Sequence, residues 1–129
     1  MTTPATYSFS GFPGQPDRYL YLHHDGYPTG AAWRFAAALR ICGQLAEFPT
    51  CFVNTQPGSI PLAGPDAPTD AAYRYRVEFQ QQPNAELQVQ VWRRLPGSDS
   101  WMPRSGVMPL KTFIKRFLPA PDQCRSASR

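Results

Sequence analysis

The chain has 129 residues, 42% of them apolar, which fits one domain with a core of its own rather than a metal- or disulfide-dependent miniprotein. No apolar run approaches the ~20 residues of a membrane span, and the opening Met1-Thr2-Thr3-Pro4 lacks the basic and apolar regions of a signal peptide. Three cysteines, Cys42, Cys51 and Cys124, are too few and too scattered for a disulfide framework or a zinc site, so the expectation is a soluble, cytoplasmic domain of net charge +4.

Fifteen prolines and nine glycines cluster in a few places, marking long loops between regular elements. Tyr7 and Phe9 alternate with small polar residues over 5–10, the signature of a short strand. A loop rich in Gly and Pro follows at 11–17. Residues 18–24 read as a second strand, in an antiparallel hairpin with the first. Asp25 to Gly30 break that strand and start a helix over 30–45, with Thr29 as candidate N-cap. Ala32, Phe35, Ala36, Leu39 and Cys42 or Gly43 form its apolar stripe, and Trp33 falls on a different one.

Residues 47–53 fit either a second short helix or a break at Pro49, and 54–70 read as a long functional or mobile loop. Tyr73, Tyr75, Val77 and Phe79, then Leu87, Val89 and Val91, give two strands of a hairpin turning at 82–85. Trp101 to Val107 can pair back as a short strand. Leu110, Phe113, Ile114 and Phe117 make a second amphipathic helix, stopped by Pro119. The expected fold is α+β, a small antiparallel sheet of four to five strands with two amphipathic helices packed on one face. One domain spans 1–119, and 120–129 form a flexible tail.

Charge is unevenly spread. Residues 1–70 carry three arginines and five acids, whereas 71–129 carry ten basic groups and four acids, which points to an anionic partner for the second half. Arg74 and Arg76 fall on the polar face of one strand, with Trp92 and Arg94 at the alternate positions of the next. Aromatic rings beside arginines on a sheet suit stacking and phosphate contacts. The pattern of sheet-type RNA binders is missing, and Glu78 interrupts the patch.

His23-His24-Asp25-Gly26-Tyr27-Pro28 holds both histidines. The alternation of a strand would turn His23 and His24 to opposite faces, so a shared metal is not expected. Asp25 beside them offers a general-base pair without an identified nucleophile. The plainer reading is a strand-to-helix turn whose Asp bonds the next backbone amides. Phosphate-binding glycine loops, zinc-protease and nucleophile-elbow motifs are absent from the sequence, and its nine carboxylates include no close pair.

The stretch from Tyr19 to Ala32, an aromatic strand running into H-x-D-G-Y-P and an Ala-rich helix, resembles a segment of small uncharacterised phage, prophage and bacterial proteins. The resemblance implies a phage or prophage accessory factor that inhibits or sequesters a host defence component. The binding residues expected are His23, His24, Asp25, Tyr27, Arg74, Arg76, Trp92 and Arg94, with no catalytic residue, no metal and no cofactor. The expected partner is a host protein or protein complex, and no membrane. An anionic ligand or nucleic acid bound by the basic half, a His/Asp-dependent enzyme, and a homo-oligomer stay open.

Overall fold

Period-two alternation in the sequence becomes a six-stranded sheet in the computed structural model, which describes residues 2–118. The strands are β1 (Ala5–Ser10), β2 (Arg18–Leu22), β3 (Ile60–Pro61), β4 (Tyr73–Gln80), β5 (Glu86–Arg94) and β6 (Trp101–Pro109). The helices are α1 (Pro28–Ile41), α2 (Phe48–Thr55) and α3 (Leu110–Phe117), with a 3-10 turn at Leu45–Glu47 leading into α2. The sheet order is β3-β2-β1-β4-β5-β6.

The class is α+β as expected, with three differences. The sheet is mixed, because β1 and β4 run parallel while every other neighbouring pair is antiparallel. That pairing joins segments far apart in the chain, where no turn signal announces it. A sixth strand comes from β3, two residues inside the stretch expected to be loop, which pair with Leu20 and Tyr21. The third helix is α2, and Pro49 sits in its first turn, where a missing N–H costs no helical bond. The expected tail, 120–129, and the stop at Pro119 lie outside the described residues.

Each helix shows how the local sequence is overridden or obeyed. Tyr27, not Thr29, is the N-cap of α1, and it contributes no side-chain cap; Pro28 opens the helix with its fixed φ. The buried stripe of α1 is Ala31, Ala32, Phe35 and Ala38, rotated from the expected one because the helix packs on α2 and α3 as well as on the sheet. Trp33 is left outside, 59% exposed. β6 carries Pro103 and Pro109, which the sheet tolerates because this strand is an edge.

All three helices cover one face of the sheet. Tyr7 and Phe9 of β1, Tyr75 and Val77 of β4, and Leu87, Val89 and Val91 of β5 meet Phe35, Phe48, Phe52, Leu110 and Phe113 from the helices. Phe35 is the hub. Its ring lies 5.8–6.2 Å from those of Tyr7, Phe48, Phe52, Tyr75 and Phe113, mostly tilted or edge-on.

The opposite face is polar and, among the described residues, bears no helix. The chain between β3 and β4, residues 62–72, connects two strands that run in the same direction, so it must cross β2 and β1. It does so over this open face. Asp70 reaches Tyr21, whose neighbours Leu20 and Leu22 point to the core, and Pro65 lies beside Thr6 and Ser8.

Candidate functional site

The sequence-expected residues fall into two groups, one at the turn between β2 and α1 and one on the open face. At the turn, β2 ends at Leu22, so the pleat no longer separates the two histidines. Their rings meet edge to face with centroids 4.9 Å apart, contrary to the expectation of opposite faces, and both are exposed. Among the described residues, no group of three or more His, Cys, Asp or Glu stands close enough together to hold a metal ion.

Asp25 adopts φ of 56°, a left-handed conformation that Asp tolerates better than most residues. Its carboxylate does not bond the following amides; Oδ1 accepts from the Tyr27 hydroxyl at 3.1 Å. That bond pushes the exposed Tyr27 phenol above its ordinary pKa.

Backbone contacts hold this turn tightly. Gly26 donates its N–H to the Thr3 carbonyl at 2.6 Å and accepts from the Tyr75 hydroxyl at 2.6 Å. A Cβ at Gly26 would stand 2.5 Å from the Thr3 oxygen and 2.6 Å from the Ala5 Cβ. One at Gly30 would overlap the Asp25 carbonyl. Arg34 then ties the turn to the helices, donating to the carbonyls of His24 at 2.7 Å and Asp25 at 2.8 Å, and to Gln56 Oε1 at 3.1 Å. Its Nη1 also lies 3.4 Å from the Tyr7 hydroxyl. Burial first, opposed by Arg34, pushes the Tyr7 phenol up to about 12, and burial raises Tyr75 as well.

The open face is organised by register. Thr6 pairs with both Tyr21 and Arg74, and Arg74 pairs with Trp92, so Tyr21, Thr6, Arg74 and Trp92 form one row across β2, β1, β4 and β5. At the β6 end, Trp101 pairs with Arg94. The guanidinium carbons of Arg74 and Arg94 lie 4.2 and 4.9 Å from the centroid of the Trp101 ring, within cation–π range.

Two like charges thus converge on one indole. Their carboxylate partners are distant and exposed: Asp66 is 4.0 Å from Arg74, and Asp99 is 3.7 Å from Arg94. Such pairs contribute little. Arg94 also donates to the Thr69 carbonyl at 3.1 Å, and its buried Nε meets no acceptor among the described residues. Arg76 pairs with Glu78 at 2.5 Å. A hollow of about 240 Å³ opens here, lined by Thr6, Ser8, Pro65, Arg74, Tyr75, Arg76, Trp92 and Trp101.

Arg74, Arg76 and Trp92 are therefore together, Arg94 stands beside them through Trp101, and the four turn residues line no part of this hollow. Sequence reasoning missed Thr6 and Ser8, although the alternation that buries Tyr7 and Phe9 already puts them on the other face. It also missed Pro65 and Asp70, which arrive by the crossover and leave no local signal.

Tyr21 bridges the groups. Its hydroxyl donates to the Asp70 carboxylate and sits 3.0 Å from His23 Nδ1. Burial, then Asp70, pushes this phenol up to about 12. With the Tyr21 O–H directed at Asp70, a bond between Tyr21 and His23 needs the ring to donate from Nδ1.

Comparison with known proteins adds no assignment: no family model, curated protein or solved structure matches this chain. Among the described residues, no helix is long and apolar enough to cross a membrane.

Proposed function

We propose that this chain is a non-enzymatic binding protein whose recognition surface is the open face of the sheet, and that it serves as a phage or prophage accessory factor sequestering or inhibiting a host component. The observation that carries the binding reading is the pair of guanidiniums on Trp101, beside a hollow lined by two arginines and no carboxylate. An anionic group docking there compensates charges that the exposed Asp66 and Asp99 compensate only weakly. Arg and Trp also dominate binding hot spots, because they combine large contact area with directional donors. The accessory role is supported by the resemblance of the Tyr19–Ala32 stretch.

Native mass spectrometry of untagged protein from a bacterial host, run beside the Arg74→Ala/Arg76→Ala double variant, tests this. The expected result is a bound species on the wild type, either a few hundred daltons of ligand or a host protein, that the variant loses while its Tm stays within about 2 °C. A bare wild type, a species retained by the variant, or a collapse of Tm overturns the reading.

One observation favours a second reading, a small His/Asp-dependent enzyme. Tyr21 links the Asp70 carboxylate to the exposed His23 ring in one hydrogen-bonded chain. Full cellular activity in His23→Ala would end that alternative.

A further inference from the structure

We infer that the hollow on the open face takes a mononucleotide, with its base laid on Trp92 and its phosphate held by Arg74 and Arg76. The inference rests on the open face being the recognition surface and names the ligand class. Three features of the hollow carry it.

The residues that line the hollow carry charge of one sign. Arg74 and Arg76 line the hollow with no carboxylate between them, and the Thr6 and Ser8 hydroxyls add hydrogen-bonding groups on its floor. Arg74 faces Asp66 at 4.0 Å, and Asp66 is 91% exposed, so a phosphate displaces it readily. Arg76 already spends one nitrogen on Glu78 at 2.5 Å, and the charge of Glu78 weighs against a polyphosphate.

An indole, Trp92, also lines the hollow next to those charges. Trp92 is the direct neighbour of Arg74 in register. An indole stacks any base, so this arrangement selects a planar ring joined to a phosphate rather than one base identity.

Finally, the space is short. The crossover at 62–72 brings Pro65 over β1, so a ligand entering from the β6 side meets a wall. The volume, about 240 Å³, lies below the ~300 Å³ at which small-ligand sites usually begin. A single nucleotide bound here therefore extends partly outside the hollow. A continuous single strand, which needs a groove open at both ends, does not.

Tryptophan emission reads the site directly. The sequence holds three tryptophans, so Trp33→Phe leaves Trp92 and Trp101 as reporters. Titrations would use adenosine and cytidine 5′-monophosphate, with adenosine, inorganic phosphate and oligothymidylate as comparisons, and equilibrium dialysis of the same compounds reads binding without relying on quenching. The expected result is saturable binding of both monophosphates, at least about tenfold tighter than adenosine or phosphate, and weakened about tenfold by Arg76→Gln at unchanged Tm.

Equal binding of phosphate and the monophosphates overturns the inference, as does no binding of either monophosphate. Steeply salt-dependent binding of oligothymidylate without mononucleotide binding overturns it in favour of a nucleic-acid surface. None of these outcomes requires the mass-spectrometric result on Arg74 and Arg76 to fail, so the ligand class and the surface are tested separately.

Discussion

The turn at 23–30 and the open face at 74–101 differ in how firmly their side chains and backbone are committed. In the turn, two glycines sit where any Cβ collides with backbone or a neighbouring Cβ, and Arg34 donates to two carbonyls and a side-chain amide. Every one of those contacts closes the fold. On the open face, Arg74 and Arg94 rest on Trp101 with weak, exposed acidic partners. The backbone of the most conspicuous sequence motif is thus held by the fold, while Arg74 and Arg94, with weakly held charges, stand on a plain-looking pair of strands.

This contrast can be broken at its strongest point first. Gly30→Ala forces a methyl group into the Asp25 carbonyl, and unfolding by denaturant should show a loss on the order of 4 kcal/mol or failure to fold. Tolerance of that change would mean that the turn is looser than its contacts imply.

Alkali should attack the same turn from beneath. Tyr7, beside Arg34, is held up to about 12, whereas an unfolded tyrosine titrates near 10.0. Below pH 10 both states keep the proton, so the stabilising contribution is fully present. As pH rises from 10 towards 12 the unfolded chain releases protons that the folded chain retains, so stability falls, by on the order of 3 kcal/mol. Denaturation midpoints across this range should fall in the wild type and fall less in Tyr7→Phe.

Arg34→Met keeps much of the apolar stem but removes the donors for His24 O, Asp25 O and Gln56 Oε1. A loss of about 2 kcal/mol in chemical denaturation is expected. The smallest effect belongs to the open face: Arg74→Ala/Arg76→Ala should change stability by no more than about 0.5 kcal/mol, since both side chains are partly exposed and their ion pairs are weak. A loss as large as that of Arg34→Met would erase the distinction between the two regions.

Much of the fold was legible because it is local. The strand alternation from Tyr73 to Val91 predicts the β4–β5 hairpin and puts Arg74 and Trp92 on the same face of neighbouring strands; their direct pairing is a matter of register. The stripe from Leu110 to Phe117 gave α3. What stayed hidden is what depends on distant pairing: the parallel join of β1 to β4, β3 inside a Pro- and Gly-rich stretch, and the crossover that carries Pro65 and Asp70 over the sheet.

The candidate site was half legible for the same reason. Arg74, Arg76, Trp92 and Arg94 are read from strand period, whereas their meeting on Trp101 needs the β5–β6 register. The histidines misled by two residues of strand length. Ending β2 at Leu22 rather than at His24 removes the pleat that would have parted them.

Hydrogen–deuterium exchange on the protein as purified from a bacterial expression host, before and after a high-salt wash, tests the central claim most directly. If the open face is the recognition surface, the wash strips the bound species and exchange rises in the crossover at 62–72, while the turn at 23–30 is unchanged. A rise confined to the turn, or identical exchange in both preparations, would contradict the account.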